Sequence, residues 1–150
     1  MDSEERRRRG ASFDHVADAY ASYRPNFPPE AVRWMVGERP QRVLELGAGT
    51  GKLTARMAEL DHDVLATEPS AAMLAKLVAD TPGTRVARAA AEAIPLRTSS
   101  VDIVVAAQSL HLFDPERAMP EIARVLKPGG VFDSNHWDFA VRIRTALVCG

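Results

Sequence analysis

Apolar and polar positions along this chain switch between two periods, and the switching outlines a fold. Residues 42–46 (RVLEL) form the short apolar run of a buried strand. Leu53, Met57 and Leu60 then recur at helical spacing. Residues 63–67 return to a strand-like run, and Ser70 stands as the N-cap of a helix over 71–79 with Met73, Leu74 and Leu77 on one face. Pro82-Gly83 marks a turn, residues 84–88 a third strand, and the apolar run 101–106 a fourth, buried strand. Ile122, Val125 and Leu126 line a helix that stops before Pro128. Pro120 lacks a backbone donor and crowds the preceding turn, so the expectation is a turn after Asp114-Pro115 and a short helix from about residue 120. Val131 and Phe132 open a fifth strand over 131–135. Upstream, residues 14–23 read as one helix, and Pro29 sits in the first turn of a second that runs through 30–36.

Strands alternating with helices imply βαβ units: an α/β fold with a mostly parallel sheet and right-handed crossovers. With 150 residues, 46% hydrophobic and 26% charged, the chain reads as one ordinary globular domain over residues 13–150. The net charge of −1 gives no global argument for nucleic acid or an anionic membrane as partner. The run Arg6-Arg7-Arg8-Arg9 follows Glu4-Glu5 and reads as a disordered, solvated terminus over residues 1–12. No apolar stretch is long enough to span a membrane, and no apolar segment backs the N-terminal arginines as in a signal peptide, so a cytoplasmic location is expected. The single Cys149 has no partner for an internal disulfide, and no Cys/His cluster suggests a metal.

The chemistry concentrates at residues 43–54, VLELGAGTGKLT. A phosphate-binding P-loop requires G-x-x-x-x-G-K-[ST]. Here Leu53 follows Gly51-Lys52 and Leu46 stands five before Gly51, so that match fails twice, and Lys52 reads as a surface residue of the helix's first turn. The dinucleotide fingerprint G-x-G-x-x-G fits Gly47 and Gly49 but meets Lys52 at its third glycine, which weighs against a nicotinamide oxidoreductase without eliminating it. What remains is E-x-G-x-G-x-G: Glu45 at the strand end, then Gly47, Ala48, Gly49 and Gly51. A turn stripped of Cβ atoms lets the backbone approach a ligand closely. Glu68-Pro69 ends the second strand, and an acidic residue about 20 positions beyond such a turn can bind both hydroxyls of a ribose.

This pattern resembles motif I of the class I S-adenosylmethionine (SAM) dependent methyltransferases. Three further stretches resemble the type 11 methyltransferase group: Ala91-Glu92-Ala93-Ile94-Pro95-Leu96 with Ser100-Val101-Asp102, Gln108-Ser109-Leu110-His111-Leu112-Phe113, and Leu126-Lys127-Pro128-Gly129-Gly130. The resemblance implies a Rossmann-like fold and methyl transfer from SAM to a small-molecule acceptor. Glu45 would face the cationic end of SAM, Glu68 the ribose, and Ala91 and Glu92 the adenine. Many relatives carry Asp where this chain has Ala90, so backbone groups would read adenine here. Tyr20-x-x-Tyr23-Arg24-Pro25 is similar to a segment that covers the cofactor, with Tyr23 closing the site and Arg24 pairing with SAM's carboxylate. Gln108 would contact the methionine part, and His111, whose ordinary pKa is near neutrality, is the candidate general base. Asp114 reads as a cap. Gly49→Val is expected to abolish SAM binding while leaving the fold.

The family's sheet has seven strands closed by an antiparallel hairpin. Only 20 residues follow Gly130, room for strand five and one more element, with residues 139–148 a helix or a strand. The expectation is therefore a domain truncated after about strand five and lacking that hairpin. Strand five would lie at or near an exposed edge, which invites a homodimer or a partner chain. An alternative follows: a SAM-binding domain without catalytic activity, acting as an interaction module or a degenerate product.

Overall fold

The computed structural model describes residue 4 and residues 27–107, 112–136 and 139–144. The expected helix over 14–23 and the terminus 1–12 lie outside the described residues, residue 4 apart. The elements run α1 (Pro29–Val36), β1 (Arg42–Leu46), α2 (Lys52–Glu59), β2 (Asp63–Thr67), α3 (Ala71–Asp80), β3 (Arg85–Ala87), β4 (Val101–Val105), α4 (Pro115–Val125), β5 (Leu126–His136) and β6 (Phe139–Arg144). The strands form one sheet in the order β3-β2-β1-β4-β5-β6. The first five are parallel, and β6 runs antiparallel to β5. The chain leaves β1 for β2 and β3 on one side, then returns to place β4 on the other. The order therefore reverses beside β1, where ligands of such sheets bind beyond the strands' carboxyl ends.

Helices cover both faces. On one, Val32, Met35 and Val36 of α1 and Leu53 and Met57 of α2 pack on Val43, Val64, Ile103 and Val105. On the other, Ala118, Ile122 and Val125 of α4 pack with Leu44, Leu46, Val104, Leu126 and Phe132. Strand residues thus feed alternate side chains to opposite layers, which is why β1 and β4 are apolar on both faces and read as continuous apolar runs.

The amino ends of the five parallel strands carry charges of alternating sign. Arg85 of β3 pairs with Asp63 of β2 at 2.6 Å, and Asp63 with Arg42 of β1 at 3.3 Å. The Arg42 amide donates to Asp102 of β4 at 2.9 Å, and Asp102 pairs with Lys127 of β5 at 3.3 Å. Burial pushes the Asp102 carboxyl up, but the Arg42 amide and the Lys127 ammonium outweigh it and hold the group below its ordinary value. Each exposed pair is weak, yet each spans neighbouring strands and opposes a register slip.

Three expectations need correction. First, α4 is one helix from Pro115 and passes straight through Pro120. Pro115 is a favourable first residue, the Asp114 side chain accepts from the Glu116 amide at 3.2 Å, and the buried stripe Ala118, Ile122, Val125 continues across the proline. Burial on both sides of Pro120 outweighs its missing bond. Second, β5 begins at Leu126, not Val131. Val101 pairs with Leu126 and Ile103 with Val131, so Lys127-Pro128-Gly129-Gly130 bulges out of a strand already begun. Gly129 has φ 78°, a backbone open chiefly to glycine. Third, the third strand is shorter than read, Arg85–Ala87, because Thr84 still belongs to the Thr81 turn through its amide. β5 lies next to the edge of the sheet, within the expectation that placed it at or near one, and β6 pairs with it from Val131 to His136. The one further element expected over residues 139–148 is this antiparallel strand, Phe139–Arg144.

Candidate functional site

The turn between β1 and α2 is built from backbone conformations that only glycine adopts readily: φ is 63° at Gly47, 61° at Gly49 and 93° at Gly51. The Ala48 amide donates to the Thr67 carbonyl at 2.9 Å, which fastens the turn to the end of β2. Gly51 has a packing reason as well, since a Cβ there would meet Leu77 Cδ1 of α3 at 2.6 Å. The positive φ at Gly49 also revises the expected effect of Gly49→Val. A β-branched residue is strained there, so the fold would suffer along with any ligand approach.

Glu68, buried at the end of β2, reaches this turn. Its Oε1 accepts from the Gly49 amide at 3.0 Å and its Oε2 from the Ser70 amide at 2.7 Å. Ser70 in turn caps α3, its Oγ accepting from the Met73 amide at 3.2 Å. Pro69 is exposed, and its carbonyl accepts from Arg88 Nε at 3.0 Å.

Glu45 lies behind the turn, 3% exposed. Its Oε2 accepts from Thr54 Oγ1 of α2 at 2.5 Å, and its carbonyl from Thr67 Oγ1 at 3.1 Å. Burial pushes its carboxyl up from 4.5 to about 8; the Thr54 hydrogen bond works against this, and the nearby Glu68 charge adds to it. Near pH 7 the group is therefore mostly a neutral acid, not the standing carboxylate the motif suggests. A cation brought beside it would draw out the proton.

The connection after β3 supplies the third wall. Ala91 is buried in the core shared with Phe113 and Ile94, so its side chain is committed to packing and only its backbone remains for a ligand. Glu92 Oε1 accepts from the Asp114 amide at 2.7 Å, joining this connection to the start of α4. The arrangement brings together Glu45, Gly47, Ala48, Gly49, Gly51 and Glu68-Pro69, with Ala91-Glu92 following the neighbouring strand β3. Tyr23, Arg24, Gln108 and His111 lie outside the described residues.

Several participants escaped the sequence reading. Thr54 and Thr67 hold Glu45 but sit in positions that read as ordinary helix and strand. Glu121 and Arg124 bind the backbone at Ile94 and Leu96, and their spacing of three on a helix was the available signal. Among the described residues, no group of three acidic, histidine or cysteine side chains is placed to hold a metal, and no helix is long and apolar enough to cross a membrane.

Comparison with known proteins agrees with this geometry. A family model described as a methyltransferase domain matches residues 44–132. An uncharacterized methyltransferase of Mycobacterium tuberculosis is 50% identical over 125 residues, covering 83% of this chain and 51% of its own length. An uncharacterized methyltransferase of Schizosaccharomyces pombe is 40% identical over 126 residues, covering 81% and 50%. The chain thus spans about half the length of these curated relatives. Among solved structures, the S-adenosylmethionine dependent methyltransferase of Mesorhizobium loti superposes with a TM-score of 0.62 at 29% identity, over 71% of this chain and 52% of that one.

Proposed function

The chain belongs to the methyltransferase-domain family, and from that premise we propose that it binds SAM at the β1–α2 turn and transfers the methyl group to a small-molecule acceptor. The observation that carries the proposal is the Gly49–Glu68 hydrogen bond, because it joins the glycine turn to the carboxylate we assign to the ribose. The donor set fits SAM rather than a nucleotide: the turn departs from the P-loop pattern at Leu46 and Leu53 and from the dinucleotide pattern at Lys52, and an acid stands behind it. Gly47, Ala48 and Gly49 line the methionine side through their backbone. Glu45 faces the ammonium and releases its proton to solvent as the cation settles beside it. Glu68 takes the ribose hydroxyls, and backbone groups at Ala91 and Glu92 take the adenine. SAM, when bound, supplies an electrophilic methyl on a sulfonium. The protein's task is to orient it and exclude water. We assign Tyr23 and Arg24 to covering the cofactor, Gln108 to its methionine part and His111 to accepting the acceptor's proton.

Calorimetric titration with SAM tests the reading, with folding checked by circular dichroism. Saturable binding is expected, and folded protein without heat of binding would overturn it. A radiolabelled methyl-transfer assay on small-molecule extracts then tests the transfer itself: label in a low-molecular-weight product supports it, and binding without transfer would leave a SAM-binding domain.

A further inference from the structure

The connection 88–100 has only irregular structure, yet it is tied along nearly the whole length of α4. Glu92 receives the Asp114 amide at the helix start. Two turns on, Glu121 Oε2 accepts from the Ile94 amide at 2.8 Å. Arg124 donates from Nη1 to the Leu96 carbonyl at 2.7 Å and from Nη2 to the Ile94 carbonyl at 3.0 Å. At the helix end, the carbonyls of Arg124 and Val125 accept from the amides of Ser99 and Ser100, each at 2.8 Å. Glu121 and Arg124 are themselves joined twice, Nε to Oε1 at 2.7 Å and Nη2 to Oε2 at 2.9 Å. One ion pair therefore satisfies both the donor and the acceptor of Ile94 and the acceptor of Leu96. A loop without strand partners must find such groups somewhere.

The geometry points to Glu121 and Arg124 as positioning residues for adenine recognition, acting through the backbone of residues 91–96; this rests on the SAM reading above. Ala91 and Glu92 lie two to three residues from the gripped Ile94, and Ala90 has no side chain to read a base. Adenine selectivity must then come from where backbone amides and carbonyls stand, and the clamp determines that. The planar guanidinium meets two carbonyls and a carboxylate together, which a lysine ammonium on a flexible stem does not reproduce.

The test uses the full chain and two ligands, S-adenosylhomocysteine and its deaminated form S-inosylhomocysteine, which differ at C6, amino against carbonyl, and at N1, acceptor against donor. Calorimetry is run on wild type, Arg124→Ala and Arg124→Lys, well below each protein's thermal midpoint. Wild type is expected to prefer the adenosyl ligand. Arg124→Ala should weaken adenosyl binding about tenfold, the scale of one lost charged hydrogen bond, and narrow the preference to near parity. Arg124→Lys, the milder variant, should fall between. Loss of affinity for both ligands in equal ratio, or no loss, would overturn the positioning role and leave the clamp purely structural. Wild type binding neither ligand would overturn the SAM reading instead.

Discussion

The Gly49 amide donates to Glu68 Oε1 at 3.0 Å while the Ser70 amide donates to Oε2 at 2.7 Å, so one carboxylate joins the glycine turn to the start of α3. Replacing Glu68 by alanine leaves two amides of this region without that acceptor. Charged hydrogen bonds are worth roughly 1.5–3 kcal/mol each. Glu68→Ala should therefore lower the thermal midpoint by several degrees and weaken SAM binding at least tenfold, by differential scanning calorimetry and titration. Unchanged SAM affinity would remove Glu68 from the ribose site.

If Glu45 faces SAM's ammonium as proposed, SAM binding is expected to depend on pH. With its carboxyl at about 8, the site holds a proton near neutrality that an incoming ammonium displaces. Affinity should rise with pH up to about 8 and level off above it, and titrations in buffers of different ionisation enthalpy should show proton release. The same shift acts on folding. The unfolded carboxyl titrates near 4.5, so Glu45's contribution to stability is whole below that and lost as pH climbs through about 8. Glu45→Gln should flatten this decline in denaturant unfolding between pH 5 and pH 9, and an unaltered pH profile would contradict it.

Glu121 acts in the opposite window. Hydrogen bonding from Arg124, with help from the Ile94 amide, lowers its carboxyl from 4.5 to about 2. Its stabilisation is present above about 4.5 and lost as pH falls through about 2. Glu121→Gln should show a shallower loss of thermal stability on acidification than wild type. An identical acid limb would show that the pair contributes nothing to the balance.

Two glycines separate steric from conformational demands. At Gly130 a Cβ would stand 2.9 Å from Leu126 Cδ2 and the Lys127 carbonyl oxygen and 3.0 Å from the Asp102 carbonyl oxygen. At Gly83 it would meet nothing within 4 Å, and only the φ of 84° opposes it. Gly130→Ala should be the more destabilising, by roughly 1–3 kcal/mol against about 1 kcal/mol, in urea melts. The reverse order would mean that the bulge relaxes freely.

The parallel strands were legible as short, largely apolar runs between turns: β1 and β2 fall on the residues read for them. The helix over Pro120 was misread because local chemistry argues for a break while burial of Ile122 and Val125 argues against it, and burial is invisible until the sheet is assembled. The start of β5 at Leu126 was missed for the same reason: the glycines at 129–130 announce an unusual backbone but not that pairing has already begun. At the site, the glycines and Glu68 could be read because their spacing is set by β1 and β2. The proton on Glu45 and the grip of Arg124 depend on packing between distant segments, which no spacing encodes.

The sheet ends on one side at β3, three residues long and headed by exposed Arg85. A second molecule docking edge to edge there would find too few unpaired amides and carbonyls to form a lasting ladder, and would meet a like charge on its own copy. The side of the sheet proposed to receive ribose is thus also the side guarded against polymerisation, which lets those strands stay short without becoming sticky.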